Sequence, residues 1–483
     1  MDYLDLRDWI AKARELGEVR DVLGATWQED IGHVSEMLHH TDDAPVALFD
    51  EIPGYPKGHR ILVNANATRR RLALTLGLPL DIERRPLMDE FLALTEADRA
   101  VPPQYVDEST APVFENVQRG DDVDVLSFPS PHWHPLDGGR YIGTGVGVVM
   151  RDPDTGWVNV GTYRIQVHDD KHVGIYIAPG KHGMQFRNMY FERKEPCPVA
   201  IVVGMDPLLM LASTLEVPQG VSEYDWVGGI RGEPYPVVKA PVTGLPIPAT
   251  AEIVLEGYMH HDRFQAEGPF GEWHGYYATG QKHEPVIEVE GIYHRNEPIM
   301  LGMPPNKPPW EPMRYREYLR SALLLRNVKA AGVPGVVDAM CYAFGGNRLF
   351  TVVSIQPRYA GHARQAMHVA AMCHAGAYMG RIVVVVEDDI DVTDLEEVMW
   401  AVVTRGDPER SIDIIKRAWS GPIDPAIHPD EKGMNSRLLI DATRPWEWRD
   451  RFPPAIGPDP ETKRETRRKW GWVLDPTATP PAG

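Results

Sequence analysis

The sequence predicts a mixed α/β protein in three parts: an N-terminal α/β region, a middle of mostly antiparallel strands forming a barrel-like sheet, and a C-terminal α/β region. Three observations carry this. Strand-like and helical apolar patterns alternate at both ends of the chain, and after about Tyr315 they alternate as parallel βαβ units do. Between the ends, apolar runs shorten and Gly and Pro become frequent, as in antiparallel sheets. Within that middle part, Asp152-Pro153-Asp154-Thr155-Gly156 lies between two strand-like runs as a hairpin signal. The expected units are residues 1–112, 113–314 and 315–483.

The elements follow in order. Asp5 can cap a first helix, in which Leu6, Trp9, Ile10 and Ala13 recur at helical spacing up to Gly17. Ile31, Val34, Met37 and Leu38 mark a second helix, and 46–49 and 61–63 are short strands. A Pro- and Glu-rich passage at 100–112 reads as a boundary. Segments 146–150, 158–167, 199–203 and 286–289 are the strands of the middle part. Then 350–355 reads as a strand, 360–379 as a helix and 382–386 as a buried parallel strand. Thr393-Asp394-Leu395-Glu396 reads as a capping box opening a helix through Trp400. The tail from Asp475 has the composition of a disordered segment, and no internal repeat is present.

Composition narrows the function classes. The chain has 483 residues, 43% of them hydrophobic and 25% charged, which is ordinary globular composition. A net charge of −19 argues against a nucleic-acid partner, which needs a basic face. The basic clusters Arg69-Arg70-Arg71 and 463–469 read as solvated helix faces. Three widely spaced cysteines with no Cys-x-x-Cys suit free thiols in a reduced compartment. With no apolar run near membrane-spanning length and no basic, apolar leader, the expectation is a cytoplasmic protein with no membrane partner.

Chemistry concentrates in Glu267-Gly268-Pro269-Phe270-Gly271-Glu272-Trp273. In a regular strand, positions five apart face opposite ways. Gly268 and Gly271 can take backbone angles that other residues avoid, and Pro269 fixes its own φ, so the bend can turn both carboxylates into one cavity. Two carboxylates in one pocket split their pKa values, leaving one able to hold a proton near neutral pH. A surface turn with two solvated Glu residues would read the same way. Upstream, Asn159, His182 and Glu223 offer an amide, an imidazole and a carboxylate, a set suited to Mn²⁺ or Mg²⁺; among 18 His and 69 acidic residues such a trio is weak by itself. Arg164 can grip a carboxylate in a bidentate way. His168, His172, His260, His261 and His274 read as surface residues, with Asp169-Asp170-Lys171 a hairpin turn. No Rossmann fingerprint, Walker loop or Gly-x-Ser-x-Gly elbow is present, so hydride transfer on NAD, phosphoryl transfer and serine hydrolysis lose their best support.

These stretches together, with 117–120, Gly180-Lys181-His182, Ser222-Glu223-Tyr224, 386–391 and 440–443, resemble the UbiD family of decarboxylases in order and spacing over nearly the whole chain. The resemblance implies a central split β-barrel that binds prenylated flavin mononucleotide between the two α/β parts. It implies Asn159, His182 and Glu223 as ligands of Mn²⁺ (or Mg²⁺) bridging the flavin phosphate. It places a K⁺ ion near Trp157, Ala212, Ser213 and Glu223. Thr162, Arg164, Lys181 and Arg381 join the cofactor site, with Arg381 standing where the family more often has a phosphate-binding Lys. Glu267, Arg164 and Glu272 match the family's catalytic Glu-Arg-Glu network.

The implied reaction is reversible non-oxidative decarboxylation through covalent adduct chemistry on the cofactor, with Glu272 delivering the proton that replaces CO₂. Trp273 beside that acid favours a flat aromatic or heteroaromatic acid, and His428 falls where the C-terminal part closes over substrate. The implied partners are the acid and CO₂, a UbiX-type flavin prenyltransferase that supplies the cofactor, and further copies of the chain in a homodimer or homohexamer. Two alternatives stay open on the residues: a flavin-binding oxidoreductase using ordinary FMN, and a non-catalytic subunit of a multi-subunit carboxylase. The intact Glu-Arg-Glu set speaks against both.

Overall fold

The computed structural model describes residues 1–215, 217–457 and 460–474; the tail from Asp475 lies outside them. The first helix, Leu6–Glu15, forms as its pattern predicts: the Asp5 carboxylate accepts from Asp8 N, and Leu6, Trp9, Ile10 and Ala13 are buried. The second, Asp30–His39, turns a different face inward. Ser35 and His39 are buried with Ile31, while Met37 is exposed. The N-terminal sheet runs Val19–Leu23, Val46–Asp50, Arg60–Val63 and Ile299–Gly302. Its last strand arrives from the far end of the middle segment and pairs in parallel with Arg60–Val63. The two parts are therefore stitched together by backbone hydrogen bonds. Val19–Leu23 carries Arg20 and Asp21, which hide it from an apolar pattern.

The middle forms a nine-stranded, largely antiparallel sheet curled into a half-barrel. Its axis is the long hairpin Ile253–Glu267 and Lys282–His294. A register shift falls between Glu256 and Gly257, and a Cβ at Gly257 would lie 1.8 Å from the Glu288 carbonyl oxygen, so glycine alone fits that bulge. Gly147–Arg151 and Val158–Gly161 pair across the Asp152–Gly156 turn as the sequence predicts. The run 158–167 is not one strand: it breaks at Thr162-Tyr163 and resumes as Arg164–Val167, which pairs with His172–Tyr176.

The C-terminal sheet is mixed. Phe350–Ile355, Ile382–Glu387 and Met434–Asp441 run parallel, while Val336–Cys341 and Ile412–Trp419 pair antiparallel at the edges. Val384, Val385 and Val386 are fully buried, each stabilising by roughly 1.5–3 kcal/mol. The expected helix 360–379 is two, His362–Met372 and His374–Ala377, parted by the extended backbone of Cys373. Asp394, not Thr393, caps the helix Leu395–Arg405, accepting from Glu396 N and Glu397 N. Arg71 is no solvated side chain: it is 1% exposed and donates to Glu18, Ala44 and Ala65, although its basic neighbours hid this. The 463–469 cluster does lie on an exposed helix, Pro460–Trp470. All three cysteines are free.

Candidate active site

The far end of the long hairpin carries the loop with the two carboxylates. Glu267 is the last residue of its strand, and Gly268 takes a φ of +79°, which a side chain would resist. Gly271 does not take a left-handed conformation, so the bend needs one special glycine rather than two. Arg164, on the neighbouring strand, meets both carboxylates. Its Nε and one terminal nitrogen donate to the two Glu267 oxygens at 2.8 and 2.7 Å, and its other terminal nitrogen lies 3.5 Å from Glu272 Oε1. Tyr141 donates to Glu267 Oε1 at 3.1 Å. The guanidinium lies over the rings of Tyr176 and Phe270, 4.4 and 5.5 Å from their centroids.

This environment separates the two acids. Glu267 is 1% exposed and satisfied by a bidentate charge-assisted pair. Glu272 is only partly buried, its side chain 13% exposed, yet its Oε1 has no hydrogen-bond partner among the described residues. Burial pushes its carboxyl up to about 7, with Glu267 adding to the rise and Arg164 and Lys282 opposing it. A carboxyl that titrates near neutrality beside a fixed cation can give up a proton and take it back.

The second cluster forms around Glu223 at the start of helix Glu223–Arg231, which Ser222 caps. Glu223 is 4% exposed and accepts from Asn159 Nδ2 at 2.8 Å and Val160 N at 2.6 Å. Tyr163 donates to Asn159 Oδ1, and Gly183 N, beside His182, donates to Tyr163. The His182 ring stands edge-on to Trp157 at 4.7 Å. Thr162 and Ser213 are joined through their hydroxyls and through Thr162 N and the Ser213 carbonyl. Burial pushes Glu223 up to about 7, and every group that hydrogen-bonds it is neutral. An ionised Glu223 here has no cationic side chain among its hydrogen-bond partners, so the donor set fits a bound cation. Among the described residues no three His, Cys, Asp or Glu side chains gather as a metal site, so the fit depends on the Asn159 amide.

Two family models cover most of the chain. The 3-octaprenyl-4-hydroxybenzoate carboxy-lyase Rift-related domain matches residues 104–308, and the C-terminal domain of the same description matches 315–442. The chain belongs to the UbiD family. A phenolic acid decarboxylase of Streptomyces sp. is 32% identical over 92% of this chain and 93% of its own length. A pyrrole-2-carboxylic acid decarboxylase of Pseudomonas aeruginosa is 31% identical over 92% and 91%. The UbiD-class enzyme HmfF from Pelotomaculum thermopropionicum, in complex with FMN, superposes with a TM-score of 0.84 at 29% identity, covering 95% of this chain and 98% of that one. An evolved dimeric form of HmfF, in complex with prFMN, gives 0.81 at 28% identity, covering 94% and 97%. The chain is thus a UbiD-type carboxy-lyase with the family's mixed α/β fold.

Against this UbiD frame, several predicted residues stand apart from the two clusters. One terminal nitrogen of Arg381 donates to both Asp424 oxygens at 2.7 Å, and its buried Nε has no partner among the described residues. The Trp273 ring points at Gly346, where a Cβ would meet Cζ3 at 2.1 Å; its bulk fills the seam between barrel and C-terminal part. His428 is exposed and caps a short 3₁₀ turn, accepting from Asp430 N. His274 is not the surface residue its spacing suggested: it is 6% exposed, with Nε2 2.8 Å from the Ile423 carbonyl. Sequence reasoning missed Tyr141, Tyr176, Phe270 and Gln166. Only Gln166 had a local signal, since it shares a strand face with Arg164.

Proposed function

We propose that this UbiD-family chain catalyses the reversible non-oxidative decarboxylation of an aromatic or heteroaromatic carboxylic acid with prenylated FMN. The observation that carries it is the Glu272 carboxyl: partly buried, with one oxygen lacking a hydrogen bond among the described residues, raised to about 7, and beside an arginine already committed to Glu267. Losing CO₂ from an sp² carbon leaves an electron pair with nowhere to go. When bound, the prenylated flavin supplies the covalent attachment and electron sink that this needs.

The chain's own residues do the rest. Glu267 fixes the Arg164 guanidinium in one plane, so the terminal nitrogen facing Glu272 is left to place the substrate carboxylate. Glu272 holds a proton at neutral pH and delivers it to the carbon that CO₂ has left; in the carboxylation direction it takes that proton back. Asn159, His182 and Glu223 would hold Mn²⁺ or Mg²⁺ against the cofactor phosphate, and Thr162, Lys181 and Arg381 would contribute to binding the cofactor itself. Trp157, Ala212 and Ser213 would hold K⁺ beside Glu223. The substrate class draws support from the relatives named for phenolic and pyrrole-2-carboxylic acids. Trp273 and His428 remain the proposed pocket residues, and Trp273 would act there through the seam it fills. A UbiX-type prenyltransferase would supply the cofactor, and a homodimer or homohexamer is the proposed assembly.

The test is a mass and absorbance spectrum of the chain co-produced with a flavin prenyltransferase. A bound species heavier than FMN by a prenyl adduct is expected. Plain FMN would contradict the proposal and favour the oxidoreductase reading. A prenylated cofactor without CO₂ release from the single purified chain would favour the subunit reading.

A further inference from the structure

The loop that carries Glu272 is held at both limbs by groups that never face its carboxylate. On the incoming limb, Gln166 is 5% exposed and uses both ends of its amide. Its oxygen accepts from Gly268 N at 2.9 Å, and its nitrogen donates to the Gly138 carbonyl at 3.0 Å. Gly138 N donates in turn to the Pro269 carbonyl at 2.7 Å. The approach is so close that a Cβ at Gly138 would lie 2.0 Å from the Gly268 oxygen. On the outgoing limb, Tyr277 donates to Asp137 Oδ1 at 2.9 Å, while Asp137 Oδ2 accepts from His134 N at 3.0 Å. One dipeptide, Asp137-Gly138, therefore spans the mouth of the loop, and Gln166 ties it to the strand that carries Arg164. The Tyr141 ring completes the brace, 4.0 Å from that of Phe270.

We propose that Gln166 and the Asp137-Gly138 dipeptide are positioning elements for Glu272, setting its distance from Arg164 through the two limbs of the loop. Arg164 and Gln166 lie on one face of one strand, so the cation and the brace share a rigid base. The inference rests on Glu272 being the proton donor. The charged and titratable groups around that carboxyl are Arg164, Glu267, Lys282 and Tyr176, and the brace reaches Glu267 through the backbone at Gly268 and the Tyr141 hydroxyl.

The experiment compares wild type with Gln166→Leu, Gln166→Glu and Tyr277→Phe, each produced with cofactor. A misplacement of about 1 Å can cost roughly 100-fold in rate. Gln166→Leu should lower kcat about 30-fold with KM within about 2-fold and flavin content unchanged, and should move the alkaline limb of the kcat–pH profile. Gln166→Glu, which keeps the acceptor for Gly268 N, should recover part of that loss. Tyr277→Phe should lower kcat by a smaller factor with the same KM split. Wild-type kcat and pH profile in both Gln166→Glu and Tyr277→Phe would overturn the proposal, even if Gln166→Leu fails to fold. Hydrogen–deuterium exchange across 268–277 separates the two readings. Faster exchange there in the variants, with a wild type that releases no CO₂ from any acid, would retain the brace and remove the decarboxylase reading. Unchanged exchange would overturn the brace whatever the turnover.

Discussion

Glu272, partly buried, and Glu223, buried, are two carboxyls raised to about 7 chiefly by desolvation, in opposite company. Glu272 faces Arg164, whose charge Glu267 already shares, the setting the proposed proton donor requires. Glu223 accepts hydrogen bonds only from neutral groups, the Asn159 amide and the Val160 N–H. Two successive strands serve them, since Val158–Gly161 reaches Glu223 and Arg164–Val167 reaches Glu267. The difference teaches that burial alone does not assign a role. In the proposed reading, a fixed internal cation suits Glu272 to carry a proton, and the lack of one suits Glu223 to bind a cation from outside.

The largest effect should come from removing the proton carrier. Glu272→Gln should lower decarboxylation about 1,000-fold while flavin stays bound, measured by CO₂ release and absorbance. Wild-type turnover in that variant would end the contrast. Next, Arg164→Met should lower unfolding free energy by about 3 kcal/mol, because Glu267 would be left buried and unpaired; denaturant unfolding checks this. Third, Mn²⁺ at a hundredfold excess over its Kd should stabilise wild type by about 2.7 kcal/mol, read as a raised Tm. Glu223→Gln should lose that gain and Glu272→Gln should keep it; equal gains in all three would erase the distinction between the two acids.

The last and most gradual effect is a pH linkage. Glu272 titrates near 7 folded against 4.5 ordinarily, so the folded state favours its protonated form. That preference is fully present below 4.5 and is lost as pH rises through about 7. Glu272→Gln, which cannot ionise, should therefore gain on wild type across that window by roughly 1.4 kcal/mol of unfolding free energy per pH unit. A flat difference between pH 4 and 8 would contradict the raised carboxyl.

Much of this was legible in the chain. The Asp5 cap and the 152–156 hairpin are local chemistry, and local chemistry folds as written. Glu267 and Glu272 were candidates because the bend breaks strand alternation, the family resemblance joined Arg164 to them, and the structure brings all three together. What was not legible depends on distant neighbours. Arg71 sits in a run of three arginines, and only the Ala44 and Ala65 carbonyls distinguish it. Ile299–Gly302 joins a sheet begun nearly 300 residues earlier, which no periodicity reveals. His274 looked exposed because the carbonyl that meets it, that of Ile423, comes from another part of the chain. Gln166 shares a strand face with Arg164, but nothing in the sequence shows the two backbone groups its amide joins.

The most direct test of the central claim is CO₂ release from a panel of phenolic and pyrrole-type acids by the purified chain carrying its prenylated cofactor, run beside Glu272→Gln at equal flavin content. Release by wild type that falls about 1,000-fold in the variant is the predicted result. A fully loaded wild type that releases no CO₂ from any of them, or a variant that keeps pace with it, would contradict the assignment of Glu272 as the acid of a decarboxylase.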